Sequence, residues 1–259
     1  MEIVRSMLLT RQKSSFRSPL AAFAIAAAVL SISLPPACQA DSTVQPLVSS
    51  FSSLSQISGI GKTVDGTEII NDMTNAATDL KAYSFTYEMS VFKGKKTIFE
   101  KGNFYFMKPR LLRVEEVGDY TKGAVAVIGK DGKVRGHLGG ALSAFTVTLS
   151  ENSDQLLSAN GFPMVDSDWA SMCRVVQGFL KQGMKSRVTD RPIAVDGHPE
   201  KVYILEIYKG DTLYKRAYVN SQSLLPVEWF DYQDGRLFAR TVWKNLKISA
   251  SLSDDLFKL

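Results

Sequence analysis

Hydrophobic positions in this chain follow a helical period in two stretches and a period of two in most of the rest. From Thr67, with Glu68 in the first turn, Ile69, Ile70, Met73, Ala77 and Leu80 fall on one face, which predicts an amphipathic helix. From Tyr83 to Phe92 apolar and polar residues alternate, as in a strand with one buried face, and Thr97–Met107 repeats the pattern after the turn Lys93-Gly94-Lys95-Lys96. Lys108-Pro109 interrupts it, because proline cannot donate to a strand ladder, and Leu111–Val117 resumes it. Further strand-like runs lie at 123–129, 133–138, 144–149, 187–195, 201–208, 213–220, 226–233 and 236–249. Asp131-Gly132, Asp196-Gly197, Lys209-Gly210-Asp211 and Asp234-Gly235 supply turns at hairpin spacing. The β pattern stops only over 151–183. There Trp169, Met172, Val176, Phe179 and Leu180 recur near helical spacing, with carboxylates before them and Lys181 at the end.

About ten or eleven short strands joined by tight turns predict an antiparallel meander, since parallel pairing needs long crossovers. Each strand adds roughly 20–25° of twist, so such a sheet curls. The expected fold is therefore mainly β (α+β): a strongly curved, unclosed antiparallel barrel whose concave face is plugged by the two amphipathic helices. Phe104 and Phe106 share a face, with Leu112 and Val114 on the next strand; Tyr203, Leu205 and Ile207 share another. These seven residues are the candidate concave lining. Asn103 marks the opposite, wetter face.

The N-terminus adds a targeting signal. Arg5, Arg11, Lys13 and Arg17 precede the uncharged run 20–34, which breaks at Pro35-Pro36 and ends in Ala37-Cys38-Gln39-Ala40. This order predicts a signal peptide over 1–40, cleaved after Ala40. The run is shorter than the ~20 residues a membrane span needs. Leu34–Cys38 also resembles a lipobox, so a lipid anchor on Cys38 is the minor alternative. Residues 41–64, rich in Ser, read as a flexible linker and 65–259 as the folded domain. The chain carries 31 basic and 26 acidic residues; without 1–40, which hold four basic residues and one acidic, 27 and 25 remain, a net +2. That balance gives no basic face for nucleic acid.

Catalytic chemistry is sparse. The 259 residues include only two His and two Cys, and no HExxH, GxSxG, P-loop or Cys-x-x-Cys motif. His137 and His198 lie in turn neighbourhoods that read as solvated. Glu115-Glu116 and Asp254-Asp255 are adjacent, and neighbours on a strand point to opposite faces. No catalytic residue, metal site or cofactor is expected, and the chain reads as a non-enzyme.

Residues 99–116, Phe-Glu-Lys-Gly-Asn-Phe-Tyr-Phe-Met-Lys-Pro-Arg-Leu-Leu-Arg-Val-Glu-Glu, resemble a signature of the periplasmic lipoprotein-carrier superfamily (LolA/LolB-like) at Gly102, Phe104, Phe106, Lys108, Pro109, Leu112 and Arg113. Asp131-Gly132, the stretch Tyr218–Pro226 and the end Trp243–Phe257 also resemble that family. Asn220 stands where it usually has Asp, and the 151–183 insert is long. The resemblance implies a periplasmic, monomeric carrier that holds acyl chains of lipoproteins or lipids in an apolar cavity between an inner-membrane exporter and an outer-membrane acceptor. It makes the helix bearing Trp169, Met172, Val176 and Phe179 a lid. Lys108 and Arg113 become rim or gate residues that hold the lid through carbonyl hydrogen bonds or meet a headgroup. The alternative is an envelope sensor or scaffold of the same fold that binds lipid or peptide without transport.

Overall fold

A computed structural model describes residues 62–259; the expected signal peptide and most of the linker lie outside them. In chain order the elements are β1 (Thr63–Val64), α1 (Thr67–Asp79), β2 (Ala82–Lys93), β3 (Lys96–Met107), β4 (Leu111–Glu116), β5 (Val125–Ile128), β6 (Val134–His137) and β7 (Val147–Leu149). They continue with α2 (Trp169–Lys181), β8 (Lys185–Thr189), β9 (Val202–Lys209), β10 (Thr212–Asn220), β11 (Pro226–Gln233) and β12 (Arg236–Ser249).

The twelve strands form one antiparallel sheet in the order β1-β8-β9-β10-β11-β12-β2-β3-β4-β5-β6-β7. Its ends do not pair, so the sheet is a curved, unclosed barrel, and both edges are short strands of two and three residues. Short edges limit unwanted pairing with other chains. Two expectations need correction. Thr63–Val64, assigned to the linker, pair with Thr189 and Val188 and add a twelfth strand. The run expected at 187–195 is a strand only to Thr189; beyond it the chain leaves the ladder and returns through a single bridge between Ile193 and Val202.

The central hairpin β2–β3 is paired without interruption from Ala82↔Met107 to Lys93↔Lys96. Hydrophobic alternation sets this register, because a slip of one residue would turn every side chain to the other face. The hairpin β11–β12 turns at Asp234 and Gly235, both at positive φ (50° and 74°), which suits the right-handed strand twist. Gly102 has a different reason: a Cβ there would lie 2.6 Å from both the Glu115 carbonyl oxygen and the Tyr87 hydroxyl.

One large apolar cluster fills the concave face. Helix α1 contributes Ile69, Ile70, Met73 and Ala77 to it, and α2 contributes Trp169, Cys173 and Val176. Asp168 caps α2, its carboxylate accepting from the Ser171 backbone N–H at 3.0 Å. The helices also meet each other, with Gln177 Nε2 donating to Asn71 Oδ1 at 3.3 Å. Burying each large apolar side chain contributes about 1.5–3 kcal/mol. None of the helices among the described residues is long and apolar enough to cross a membrane.

The convex face carries a second, smaller core of Val202, Ile204, Tyr218, Phe230 and Tyr232, packed with Ile193 and Val195. Within the same face, Arg216 and Glu206 are directly paired across β10 and β9 and form a fully buried ion pair at 2.6 Å. His198, expected to be solvated, is instead largely buried, 2.8 Å from the Glu228 carboxylate, which also accepts from Arg240 Nε.

Because the Gly102 backbone has no room for a methyl group, Gly102→Ala should destabilise the fold by about 1–3 kcal/mol, as overpacked cores do. Thermal melts monitored by circular dichroism would show a drop of several degrees, and an unchanged melting temperature would mean that the close approach at Tyr87 is not enforced.

Candidate functional site

The concave face has an aromatic floor. Phe104 and Phe106 project from β3 on one face, opposite Phe85 and Tyr83 of β2. The Phe85 and Phe104 rings stack at 4.6 Å, and Tyr83 and Phe106 lie 5.1 Å apart. The Trp169 indole lies over this floor, 4.7 Å from Tyr83 and 5.0 Å from Phe85, and is 1% exposed. Offset aromatic contacts of this kind add about 0.5–1.5 kcal/mol each beyond area burial. The Tyr83 hydroxyl accepts the Trp169 backbone N–H at 3.0 Å, so the start of α2 is held by polar and apolar contacts together. Burial pushes the Tyr83 hydroxyl pKa well above its ordinary value, which keeps it neutral.

Most of the sequence-derived site residues meet in this one cluster. Phe104, Phe106, Leu112, Leu205 and Ile207 are buried in it, and Val114 and Tyr203 are half-buried against it. From α2, Trp169 and Val176 are buried there, with Met172 and Phe179 packed at its margin. Phe179 also meets Tyr214 edge-on at 5.3 Å.

The two rim cations part company. Lys108 Nζ donates to the carbonyl of Thr78 in the last turn of α1, so it holds a helix end, although not that of α2. Arg113 faces the convex side. Its Nε donates to Glu115 at 2.6 Å, and its Nη1 donates to the carbonyls of Leu256 and Lys258 at 3.1 and 3.2 Å. The physical reason is strand alternation: Arg113 pairs with Tyr105 and Val127, which pack with Phe257 on the outer face. Arg113 thus fastens the C-terminal turn, and the gate role expected of it is not its role here.

At the far end of the floor lies a polar group that sequence reading missed. Glu100 is only 3% exposed, on the same face as Gly102 and Phe104. Beside it the Tyr87 hydroxyl donates to Glu116 Oε1. Burial, and then the neighbouring Glu100 charge, push the Glu116 carboxyl up to about 8; burial likewise raises Glu100. Tyr120 lies close enough for both carboxylates to raise its hydroxyl further after burial does. Glu115, next to Glu116 in sequence, points the other way, so the carboxylate that meets Glu116 comes from β3 and not from its neighbour. The usable signal was the period-two continuation from Phe106 and Phe104 through Gly102 to Glu100.

Cys173 is buried against α1, and desolvation pushes its thiol up to about 12, which makes it a packing residue and not a nucleophile. The site thus offers a broad apolar surface with one acidic end, where burial raises the carboxyls of Glu116 and Glu100.

No family model matches the chain, and no curated protein matches it. Among solved structures, the chain is similar to an uncharacterized conserved protein from Thermus thermophilus (13% identity over 74% of this chain and 93% of that one, TM-score 0.46). It is also similar to a LolA superfamily protein from Nitrosomonas europaea (12%, 76% and 98%, 0.39). A third is a putative outer membrane lipoprotein-sorting protein domain from Vibrio parahaemolyticus (10%, 73% and 94%, 0.38).

The raised Glu116 carboxyl makes stability depend on pH with a definite sign. Below the ordinary carboxyl pKa of 4.5 both folded and unfolded states hold the proton. Between there and about 8 only the unfolded state ionises, so stability falls as pH rises and levels off above that range. Glu116→Gln should therefore raise the melting temperature by several degrees at pH 8 and by little at pH 4.5. A gain that is equal at both pH values would exclude a buried, protonated Glu116.

Proposed function

We propose that the protein is a non-enzymatic carrier of acyl chains, exported to the periplasm, that binds lipoprotein or lipid tails between the aromatic floor and α2. The observation that carries this reading is the nature of the cover. The apolar concave face is closed by two separate helices on loops, not by a second sheet, and α2 rests on the floor through Trp169, Val176 and half-buried residues at its margin. A cover of that kind can be displaced without breaking any strand pairing. Phe104, Phe106, Leu112, Val114, Tyr203, Leu205 and Ile207 then line the chain-binding surface, and Trp169, Met172, Val176 and Phe179 form the lid. Lys108 serves the rim by holding the end of α1.

A second reading, a sensor or scaffold that binds lipid or peptide without transport, is favoured by the apolar residues at the β7 edge. Leu138, Leu142, Phe145 and Val147 are all exposed there, on a segment without charges.

Affinity for fluorescent saturated fatty acids separates the readings. Burial is worth about 0.8 kcal/mol per CH₂, so a carrier should bind roughly fourfold tighter for each added CH₂ until the cavity is full. Phe106→Glu should weaken binding at least tenfold, because an unpaired carboxylate on the floor repels hydrocarbon. Phe99→Glu, on the exposed opposite face of the same strand, should leave it unchanged. Melting curves of both variants establish that each is folded. No dependence on chain length would remove the acyl reading, and a peptide found by native mass spectrometry in its place would favour the second.

A further inference from the structure

The segment that leads into α2 is buckled to the sheet at a single turn. Residues Leu157–Pro163 close on themselves: Leu157 and Pro163 form an isolated bridge, and the Ser158 N–H donates to the Phe162 carbonyl at 3.0 Å. Asn160 is the centre of the turn. Its Oδ1 accepts from the Ser158 hydroxyl at 2.6 Å and from the Phe162 N–H at 3.1 Å, while Gly161 takes a positive φ of 82°.

Two carboxylates grip this turn from opposite sides. Glu100 Oε2, from β3, accepts the Ala159 N–H at 2.6 Å. Asp231 Oδ2, from β11, accepts from Asn160 Nδ2 at 3.1 Å. Between those strands run β12 and β2, whose Ala239, Met89 and Val91 pack under Ala159. The turn therefore spans four neighbouring strands across the concave face. Each carboxylate is itself held in place. Glu100 has Tyr87 and Glu116 beside it, and Asp231 accepts from Trp229 Nε1 at 3.1 Å and pairs with Lys215. Eight residues beyond Asn160, Asp168 caps α2, and Met164 and Val165 on the way are buried in the main core.

The geometry points to this turn as a clasp that decides whether α2 stays docked on the aromatic floor: releasing Ala159 and Asn160 from Glu100 and Asp231 frees the connection to Trp169, and the helix lifts. The clasp needs no ligand, but its work as a gate for acyl chains rests on the carrier reading. It also explains why buried polar groups lie at the end of an otherwise apolar face. A clasp made only of apolar contacts slides, whereas hydrogen bonds to two fixed carboxylates hold one position.

Asn160→Asp tests it cleanly. The new side chain keeps the oxygen that Ser158 and Phe162 use but sets a carboxylate against Asp231. The double variant Asn160→Asp/Asp231→Asn restores a donor–acceptor pair with the roles exchanged. Hydrogen exchange of the full chain should show the amides of 172–181 in α2 exchanging at least tenfold faster in Asn160→Asp, and the double variant returning toward wild type. Amides of β2 and β3 should keep their protection throughout. Acceleration confined to 158–162, or spread equally over β2 and β3, overturns the clasp. Uptake of a fluorescent fatty acid should also be severalfold faster in Asn160→Asp. If α2 is released and rescued as expected but neither protein binds the probe, the clasp stands and the acyl-carrier reading falls.

Discussion

An open twelve-stranded sheet creates one demand that governs this molecule: its concave face is apolar along most of its length and must be kept from water. Closing the barrel would have removed the problem by letting opposite strands cover one another. Here β1 and β7 stay apart, and cover comes from two helices of thirteen residues each. The stack of Trp169 on Tyr83 and Phe85 joins that cover to the floor. Losing it would expose both layers at once.

Polar groups in this structure mark where the cover is fixed and where it ends. On the concave side they include the Tyr83 hydroxyl at the start of α2, Lys108 at the end of α1, and Glu100 and Asp231 at the turn that leads into α2. Each sits where a helix or its connection begins or stops. On the convex side lie the buried Arg216–Glu206 pair and the Glu228–Arg240 pair, the latter joined by His198 of the 190–201 segment. A buried ion pair adds little net stability, since desolvation offsets much of the attraction, but breaking one partner away is costly. Such a pair therefore favours one register of β9 against β10 more than it adds stability.

The raised carboxyl of Glu116 and the burial of Glu100 are a cost that a purely structural face would avoid. They lie where the insert between β7 and α2 meets β3 through the Ala159 N–H. The energetic cost thus falls on residues that also meet the insert, since Glu100, beside Tyr87 and Glu116, accepts the Ala159 N–H.

How much of this was legible beforehand follows from the range of each interaction. Helix α1, the β2–β3 hairpin and α2 appear at nearly their observed limits because period, turn residues and caps are local properties. The shared face of Phe104 and Phe106 follows from alternation alone, and so does that of Leu112 and Val114. What alternation leaves open is which face of one strand meets which face of another element. The resemblance groups Arg113 with Lys108, yet strand alternation puts Arg113 on the outer face with Tyr105, away from the helix end that Lys108 holds. His198 looked solvated because its turn is polar, and only the fold of 190–201 over β11 brings it to Glu228. Glu100 meets Ala159, 59 residues away, through the insert that had no strand pattern to place it. Local chemistry specified the elements and their faces. The meeting of Glu100, Asp231 and the 157–163 turn depended on sheet curvature, a property of all twelve strands together that no single segment encodes.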